Sequence, residues 1–230
     1  MTTLSKPYYC GGRPLTYRLG RIVDSVPACE TFADVGCDHG YIGISVLADK
    51  RAAKVVFCDI SAPSLAKARA NCPQELLENA TFVCRDGLPD VFVDCACIAG
   101  MGGLETIGIL TRAKYLPSKL VLQPMRNQVD VRRWLTNNGY AIMHDVMFAD
   151  ADKYYDLIVA ERCAEQQTLD ELQLCFGKDN LVEKGEDFVC FLHKKKHTYE
   201  EILNNCADEK VVEQLRLVNS ALQYITEELA

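Results

Sequence analysis

The segment that reads DVGCDHG, residues 34–40, has the residue types of a ligand-binding turn. It follows a predicted strand at residues 32–35 and precedes a predicted helix at residues 41–48. Glycines at the end of a first strand let a ligand approach the backbone, and the N-terminus of the next helix carries unpaired N–H groups. The segment is not GxGxxG, and a diphosphate would tolerate the carboxylate of Asp38 poorly. It suits a cofactor that carries an amine and a sulfonium, such as S-adenosylmethionine.

Three further acidic or glycine-rich segments follow the next three predicted strands. Asp59 lies 23 positions after Gly36, where a carboxylate can accept hydrogen bonds from both hydroxyls of a ribose. Asp86 and Gly87 follow the third strand, where the acid can accept from an exocyclic amine, and AGMGG, residues 99–103, follows the fourth. Each segment alone fits an ordinary turn or cap equally well. Together they favour a nucleotide-type cofactor site, because the carboxyl ends of successive strands form the ligand-binding edge of an open α/β sheet.

The elements that must hold these segments alternate between β-branched runs and helical patterns. The predicted strands are residues 32–35, 54–58, 80–84, 93–98, 119–122, 140–148 and 155–160, and the predicted helices between the earlier strands are residues 41–48, 61–71, 104–113 and 129–137. This alternation predicts right-handed crossovers and a mostly parallel, doubly wound sheet. The last two strands have no helix between them and are predicted to pair antiparallel through residues 149–153.

Helical patterns without strands flank the predicted sheet on both sides. Residues 15–26 have apolar residues near helical spacing and are predicted to pack across the mouth of the sheet. After Arg162, helices are predicted around residues 168–176, 187–196 and 209–229, and the last one carries an apolar stripe that needs a partner. We expect a catalytic domain over residues 1–162 and a small helical hairpin over residues 163–230.

Length and composition describe an ordinary globular chain. The 230 residues are 49% hydrophobic and 25% charged, which suits one sizeable α/β domain with a small appendage. No apolar run approaches the roughly 20 residues that span a bilayer, and the first residues lack the apolar core of a signal peptide. The twelve cysteines include no CxxC pair, which argues against zinc and thioredoxin chemistry. We expect a reduced, cytoplasmic protein with no metal and no membrane contact.

The net charge of −7 is unevenly distributed along the chain. Residues 1–160 hold 17 basic and 17 acidic side chains, whereas residues 161–230 hold 8 and 15. Composition alone therefore favours a small-molecule substrate, although it does not exclude nucleic acid for the first part. The basic run HKKKH, residues 193–197, fits either a phosphate-contacting patch or a solvated helix face. Arg132 and Arg133 are further candidates for contact with RNA.

The order and spacing of these segments resemble the bacterial TrmK family, which are S-adenosylmethionine-dependent tRNA adenine-N1 methyltransferases. The similarity runs from about Arg18 to Arg162 through DVGCDHGYI, CDISAPSLAKA, RDGL, IAGMGG and LVLQP, and the helical tail resembles that family's coiled-coil-like C-terminal domain. The resemblance implies a Rossmann-like seven-stranded methyltransferase with tRNA as its partner, acting on adenine at position twenty-two. Two positions depart from the family pattern, since Gly43 stands where proline is common and Met125 where asparagine is common.

The resemblance also implies roles for individual residues. The methionine part of the cofactor would be surrounded by Asp34, Gly36, Asp38 and Gly40, the ribose and adenine would contact Asp59, Ile60, Asp86 and Gly87, and the sulfonium would lie beside Gly100 and Met101. Arg18 would reach the cofactor carboxylate, and Gln123 and Pro124 would line the side of the target base.

The chemistry of adenine N1 suggests Asp38 as the candidate catalytic carboxylate, with His39 as a contact to the base. For Asp38 the alternative is cofactor binding alone, and for His39 it is capping of the helix that follows. Two other functions also remain open at this point. The first is a methyltransferase that acts on a small molecule or a protein, and the second is a non-catalytic S-adenosylmethionine-binding module.

Overall fold

The structure, a computed structural model, describes residues 8–10 and 13–227. A two-stranded sheet near its start is followed by a central seven-stranded sheet. The strands are β1 (Tyr9–Cys10), β2 (Arg13–Pro14), β3 (Cys29–Val35), β4 (Ala52–Asp59), β5 (Ala80–Cys84), β6 (Cys95–Ala99), β7 (Lys119–Gln123), β8 (Tyr140–Asp150) and β9 (Lys153–Arg162). The seven strands predicted from the sequence are all present, and the β1–β2 hairpin was not predicted.

The strand order of the central sheet is β5-β4-β3-β6-β7-β9-β8. The five strands from β5 to β7 in this order are parallel to one another, and β9 pairs antiparallel with both β7 and β8. This order confirms the predicted Rossmann-like sheet with an antiparallel pair at its end. Because the chain order reverses direction between β3 and β6, the carboxyl ends of these strands leave a crevice where such sheets bind ligands.

Helices cover both faces of the sheet and form the tail. They are α1 (Tyr17–Asp24), α2 (Tyr41–Ala48), α3 (Ala62–Asn71), a 3₁₀ helix (Gln74–Asn79), α4 (Gly103–Arg112), α5 (Gln128–Asn137), α6 (Glu171–Phe176), α7 (Lys178–Glu183), α8 (Glu186–Asn205) and α9 (Glu209–Glu227). The four predicted crossover helices are confirmed, whereas α7 was not predicted and α8 is longer than predicted. Within the described residues, no helix is both long and apolar enough to cross a membrane.

Alternation along the strands builds a separate core on each face of the sheet. Phe32 of β3 packs on one face and Ala33 on the other, and Cys97 and Ile98 of β6 divide in the same way. With both faces covered, the buried strands read as continuous apolar runs such as CACIA of β6, which is typical of a central parallel strand.

Helix α1 lies at the mouth of the sheet, as predicted. The Thr16 hydroxyl accepts a hydrogen bond from the Leu19 N–H at 3.3 Å and begins the helix, as an N-cap does. The Arg18 N–H donates to the Asp150 carboxylate at 3.0 Å, at the far end of β8. These bonds hold the Arg18 side chain over the carboxyl ends of the strands.

The tail has a core of its own, in which α8 and α9 pack as the predicted helical hairpin. Phe188 and Leu192 of α8 are buried with Leu217, Val218 and Ala221 of α9. A helix of this kind buries one apolar stripe and leaves the opposite face to water.

The tail is also bonded to the edge strand β8. The N–H groups of Asp145, Met147 and Ala149 point outward from the sheet, and each donates to a tail side chain. Their acceptors are Asp179 at 2.8 Å, Asn180 at 2.7 Å and Asp187 at 3.0 Å. Side chains of the tail thus occupy donors that a neighbouring strand would otherwise take.

Arg132 was named above as a candidate RNA contact, and the structure shows that this expectation is wrong. Its side chain is completely buried and donates to the carboxylates of Asp145 and Asp156. A buried guanidinium without these carboxylates would strongly destabilise the protein, so Arg132 serves the stability of the fold and is not available to RNA. Arg133, one residue later, is exposed and faces Asp130 at 3.5 Å.

Candidate cofactor and substrate site

A cleft of about 340 Å³ opens at the carboxyl ends of β3 and β6. Its walls come from the turn after β3, from α1 and from the end of β6, and they include Arg18, Asp34, Gly36, Asp38, His39 and Ala99. The structure therefore brings the first predicted segment and the N-terminal arginine to one place, the crevice expected from the strand order. In the described part of the chain the lining of this cleft does not extend to Asp59, Ile60, Asp86 or Gly87.

The turn after β3 requires glycine at two positions. Gly36 and Gly40 have φ of +69° and +74°, a left-handed conformation that side chains rarely adopt. A Cβ on Gly36 would lie 2.0 Å from the Met101 methyl group, and a Cβ on Gly40 would lie 2.9 Å from that of Ala68. Met101 thus lies directly over Gly36. The first and fourth predicted segments are in contact.

Asp34 joins the turn to helix α2 and faces the cleft. Its Oδ2 accepts a hydrogen bond from the Gly43 N–H at 2.9 Å, so this carboxyl group, and not His39, satisfies a first-turn donor of α2. Burial raises the pKa of the Asp34 carboxyl to about 7, and the neighbouring Asp59 carboxylate adds to the rise. A ligand amine at this wall of the cleft would be attracted to the charged form of Asp34.

Asp59, at the end of β4, connects the first turn to the second. Its two oxygens accept from the Asp38 N–H and the Ser61 N–H, each at 2.9 Å. A carboxylate has about four acceptor positions, so two remain for hydroxyl groups. Ile60 follows with 73% of its surface exposed, which offers an apolar face to a planar ring.

Asp38 and His39 form an exposed pair on the rim of the cleft. The His39 Nδ1 lies 2.7 Å from the Asp38 Oδ2, and 64% of the Asp38 side chain is accessible to solvent. The His39 ring stacks on Tyr41 with 5.4 Å between ring centroids. The backbone carbonyl of His39 accepts a hydrogen bond from the side-chain amide of Asn71 at 3.1 Å. The imidazole is therefore held at the rim with the Asp38 carboxylate beside it, where a substrate could reach both.

Two cysteines near the turn are poor nucleophiles. Cys37 and Cys58 are both buried, and the Cys37 N–H donates to the Cys58 carbonyl at 3.1 Å. Burial raises the pKa of the Cys37 thiol and raises that of Cys58 to about 12, with the nearby Asp34 carboxylate contributing to both. Thiolate chemistry at this end of the cleft is therefore disfavoured.

Asp86 and Gly87 lie farther from the cleft than the sequence suggested. The Asp86 carboxylate, 62% exposed, pairs with Arg112 of α4 at 3.1 Å. Gly87 has a φ of +94° and packs over Ile109 of the same helix. The structure thus turns this acidic residue toward α4. Its adenine-edge role stays a prediction.

Arg18 and Gln123 are bonded to each other across the mouth of the sheet. The Arg18 Nη1 donates to the Gln123 Oε1 at 2.6 Å, and the guanidinium lies 5.6 Å from the centre of the Tyr155 ring. Gln123 is buried and its amide donates to the sulfur of Met125 at 3.4 Å, with Pro124 buried between them. Sequence reasoning missed this hydrogen bond because its partners are 105 positions apart and belong to different motifs.

The GMGG segment packs against the loop that follows β7. Gly103 donates to the Arg126 carbonyl at 2.9 Å, and a Cβ there would lie 2.6 Å from that oxygen. The Met125 N–H donates to the Met101 carbonyl at 2.8 Å. Met125 and Arg126 were not predicted as site residues, although the repeated glycines of GMGG signal that another backbone approaches closely.

The described residues contain no group of three or more His, Cys, Asp or Glu side chains that could hold a metal ion. Of the acidic side chains that line the cleft, Asp34 accepts from the Gly43 N–H and Asp38 pairs with His39.

The sheet order and the acidic turn at its switch point define a Rossmann-like methyltransferase, and the chain belongs to the methyltransferase domain family, which it matches over residues 15–158. Within that class it is homologous to tRNA (adenine(22)-N1)-methyltransferases, in agreement with the resemblance found in its motifs. The protein of that name from Bacillus subtilis is 28% identical over 170 residues, which cover 71% of each chain. A putative tRNA methyltransferase of Mycoplasma pneumoniae is 31% identical over 154 residues, which are 64% of this chain and 71% of that protein.

Solved structures show the same fold. The structure of M. capricolum TrmK in complex with S-adenosyl-homocysteine superimposes with a TM-score of 0.82 at 22% identity, over 92% of this chain and 98% of that one. A putative tRNA (m1A22) methyltransferase of Streptococcus pneumoniae gives a TM-score of 0.80 at 24% identity, over 94% of this chain and 100% of that one. The similarity therefore includes the helical tail as well as the sheet.

Proposed function

We propose that this protein is a bacterial, cytoplasmic enzyme that transfers the methyl group of S-adenosylmethionine to N1 of adenine 22 in tRNA. The observation that carries the proposal is the contact of Met101 with Gly36 beside an acidic cleft. It unites two motifs that are far apart in the sequence at the switch point of a methyltransferase sheet. The tRNA (adenine(22)-N1)-methyltransferase of Bacillus subtilis, with 28% identity, supports the choice of substrate.

The cleft residues fit S-adenosylmethionine. The missing Cβ of Gly36 makes room for the Met101 methyl group, which would lie 2.0 Å from a Cβ there, so the glycine lets the fourth segment close against the turn that forms the cleft wall. Asp38 supplies negative charge for the amine and the sulfonium of the cofactor, and Asp34 does so in its ionised form. Asp59 retains acceptor positions for ribose hydroxyls, and the exposed Ile60 offers a face for adenine.

The remaining assignments are proposed in the same way. Gly40, Gly100 and Met101 shape the methionine side of the cleft, Asp86 and Gly87 serve the adenine edge, and Arg18 serves the cofactor carboxylate. Gln123 and Pro124 line the side of the target base. Because Arg18 already bonds Gln123, its side chain connects the cofactor side with the base side through one hydrogen bond.

Methyl transfer to adenine N1 requires no general base from the protein. When bound, the cofactor supplies an activated methyl group on a sulfonium. Adenine N1 has a lone pair at neutral pH, so no proton has to leave before its bond to the methyl carbon forms. The bond from that carbon to the sulfonium sulfur would break, a neutral thioether would leave, and the positive charge would end on the base. The residues of this chain therefore act by holding N1 in line and by stabilising that charge. We assign this stabilisation to the Asp38 carboxylate and a contact with the base to His39, a proposal supported by their 2.7 Å pairing on the rim of the cleft.

The proposed domain division follows the change of pattern at Arg162. Residues 1–162 carry the sheet and the cleft, and residues 163–230 carry the helical tail with its own core. We propose that the first unit binds the cofactor and that the tail helps to hold tRNA, whose target base must leave its stack to expose N1.

The proposal is tested by methyl transfer to tRNA. Bulk bacterial tRNA is incubated with the protein and S-adenosylmethionine labelled in its methyl group, and the nucleosides are identified by mass spectrometry. We expect label in 1-methyladenosine. A tRNA transcript with guanine in place of adenine 22 is the matched control, and its labelling should be lost.

Three outcomes would contradict the proposal. Label in a different nucleoside, or in the control transcript, would exclude adenine 22 as the target. Label in protein or small molecules of an extract instead of tRNA would support the other methyltransferase function. Cofactor binding by calorimetry without any transfer would support a non-catalytic binding module.

A further inference from the structure

A second groove, of about 320 Å³, lies between the β8–β9 turn and helix α8. Three lysines line it, namely Lys153 beside the turn and Lys194 and Lys195 of α8. Its other lining residues are Tyr154, Phe191, Met125 and Thr198. The groove thus joins residues of the sheet to residues of the tail, and nothing in the proposed mechanism uses it.

The lysines of this groove carry charge that the protein does not neutralise. Among the described residues, Lys153, Lys194 and Lys195 make no ion pair with a carboxylate. By contrast, the next two side chains along α8 face carboxylates: Lys196 lies 3.8 Å from Glu200 and His197 lies 3.4 Å from Glu201. The run HKKKH is therefore divided between a basic face toward the groove and a face that is paired within the helix.

Aromatic rings form the apolar part of the groove. Tyr154 and Phe191 meet edge to face with 5.4 Å between centroids. The Lys194 Nζ lies 5.7 Å from the Tyr154 ring centre and the Lys195 Nζ lies 5.6 Å from that of Phe191. Ammonium groups without a carboxylate partner can bind the phosphates of a single RNA strand, and neighbouring aromatic rings can stack on its bases.

The groove adjoins the target-base side of the cleft through direct contacts. Met125 lines the groove, and its sulfur accepts a hydrogen bond from Gln123, which in turn accepts from Arg18 in the cleft wall. Nearby acidic groups are engaged elsewhere, since Asp150 accepts from the Arg18 N–H and Asp187 from the Ala149 N–H. The groove and the wall of the cleft are therefore joined through Met125, Gln123 and Arg18.

We propose that this groove binds the tRNA strand next to the target adenosine, with Lys153 and Lys194 on its phosphates and Tyr154 against a neighbouring base. The inference rests on the proposed function and deepens it, because it names the surface that holds the RNA substrate. A local basic groove between the sheet and a tail of net negative charge also explains how an acidic chain can bind a polyanion.

The test compares two double variants of equal charge in the full-length protein. Lys153→Ala with Lys194→Ala removes the groove charges, and Lys54→Ala with Lys196→Ala removes two lysines from an exposed strand position and from the paired side of α8. For the groove variant we expect the KM for tRNA to rise about tenfold or more and the salt dependence of tRNA binding to fall by about 1.4 in logarithmic slope. The Kd for S-adenosylmethionine and kcat at saturating tRNA should stay near wild type, and the control should match wild type throughout.

The results separate this inference from the proposed function. If wild-type protein methylates tRNA while both double variants have wild-type KM and salt slope, the groove assignment is wrong and the function stands. If wild-type protein does not methylate tRNA, the function fails and the groove assignment fails with it. If the groove variant changes only the oligomeric state by light scattering, the groove binds a second copy of the chain and the RNA assignment is overturned.

Discussion

The guanidinium of Arg132 and the carboxylate of Asp145 form a completely buried, two-pronged ion pair. Nε donates to Oδ2 and Nη2 to Oδ1, each at 2.8 Å. Nη2 also donates to Asp156 at 2.6 Å, and Nη1 donates to the Leu174 carbonyl of α6 at 3.2 Å. One side chain of α5 therefore binds β8, β9 and the tail at once, which joins the catalytic sheet to the helical appendage.

Replacing Arg132 by alanine should destabilise the whole protein. The variant leaves the Asp145 and Asp156 carboxylates buried without their partner, for which a loss of about 3–5 kcal/mol in the free energy of unfolding is expected. Denaturant unfolding measures this loss, and Arg133→Ala, which removes an exposed arginine one position later, is the control. A loss below about 1 kcal/mol for Arg132→Ala would contradict the network described here.

The hydrogen bonds between the tail and β8 predict that the tail stabilises the β8 edge of the sheet and protects it from aggregation. Asp179→Ala with Asn180→Ala would leave the outward N–H groups of Asp145 and Met147 without their acceptors. Each lost hydrogen bond is expected to cost about 1 kcal/mol, and the uncovered edge should promote aggregation. Unfolding curves and light scattering during heating measure the two effects. Lys210→Ala at the start of α9 is the control, and aggregation equal to that control would contradict the protective role.

The architecture was predictable because it is recorded in local patterns. The central strands of the parallel sheet are short apolar runs because both of their faces are covered, as in CACIA of β6. Helices α4 and α5 have amphipathic spacing, and α2 is a short apolar run that follows the first turn. The antiparallel end of the sheet was predictable too, since no helix-length segment separates β8 from β9. Helix α7 was missed because its six residues are too short to show a period.

Side-chain pairing between distant segments was not predictable from the sequence. Arg132 and Arg133 are adjacent and chemically identical, yet one is buried in an ion-pair network and the other is exposed. The difference depends on Asp145 and Asp156, which come from strands whose register no single segment specifies. The exposed contact of the Asp86 carboxylate with Arg112 at 3.1 Å was likewise not predictable, and the adenine-edge role of Asp86 stays a prediction. The glycines predicted the site better than the charged residues did. Gly36 has a left-handed backbone and no room for a Cβ beside Met101, and both requirements are visible in the sequence as a glycine at the end of a strand.

The buried carboxyl of Asp34 predicts a pH dependence of stability. Because burial raises its pKa to about 7 from an ordinary 3.8, the folded protein holds a proton that the unfolded chain has lost between these values. Its contribution is fully present below about pH 4 and is lost as pH rises through about 7, on the order of 4 kcal/mol in all. Asp34→Asn keeps an oxygen for the Gly43 N–H and should remove this slope from the free energy of unfolding measured between pH 4 and 8.

Asp94 provides a control of opposite sign for that experiment. Hydrogen bonds from Thr31 lower the pKa of the Asp94 carboxyl, so its contribution is present above the ordinary pKa and is lost as pH falls below it. Asp94→Asn should therefore flatten the acid side of the curve and leave the slope up to pH 7 unchanged. An Asp34→Asn protein that keeps the wild-type slope between pH 4 and 7 would mean that Asp34 is charged in the fold.

Asp59 and Asp86 allow the proposed cofactor contacts to be ranked. Asp59→Ala should weaken binding of S-adenosylmethionine by about 1–3 kcal/mol, which is about 5- to 150-fold in Kd, because hydrogen bonds to a charged acceptor are lost. Asp86→Ala should cost much less, since that carboxylate is exposed and turned to Arg112. Calorimetric titration measures both values. Because Asp59 also holds the Asp38 and Ser61 N–H groups, Asp59→Asn, which keeps one acceptor oxygen, separates loss of the turn from loss of the ribose contact. An unchanged Kd for Asp59→Ala would contradict the ribose role, and an equal loss for Asp86→Ala would mean that cofactor binding draws the Asp86 carboxylate away from Arg112.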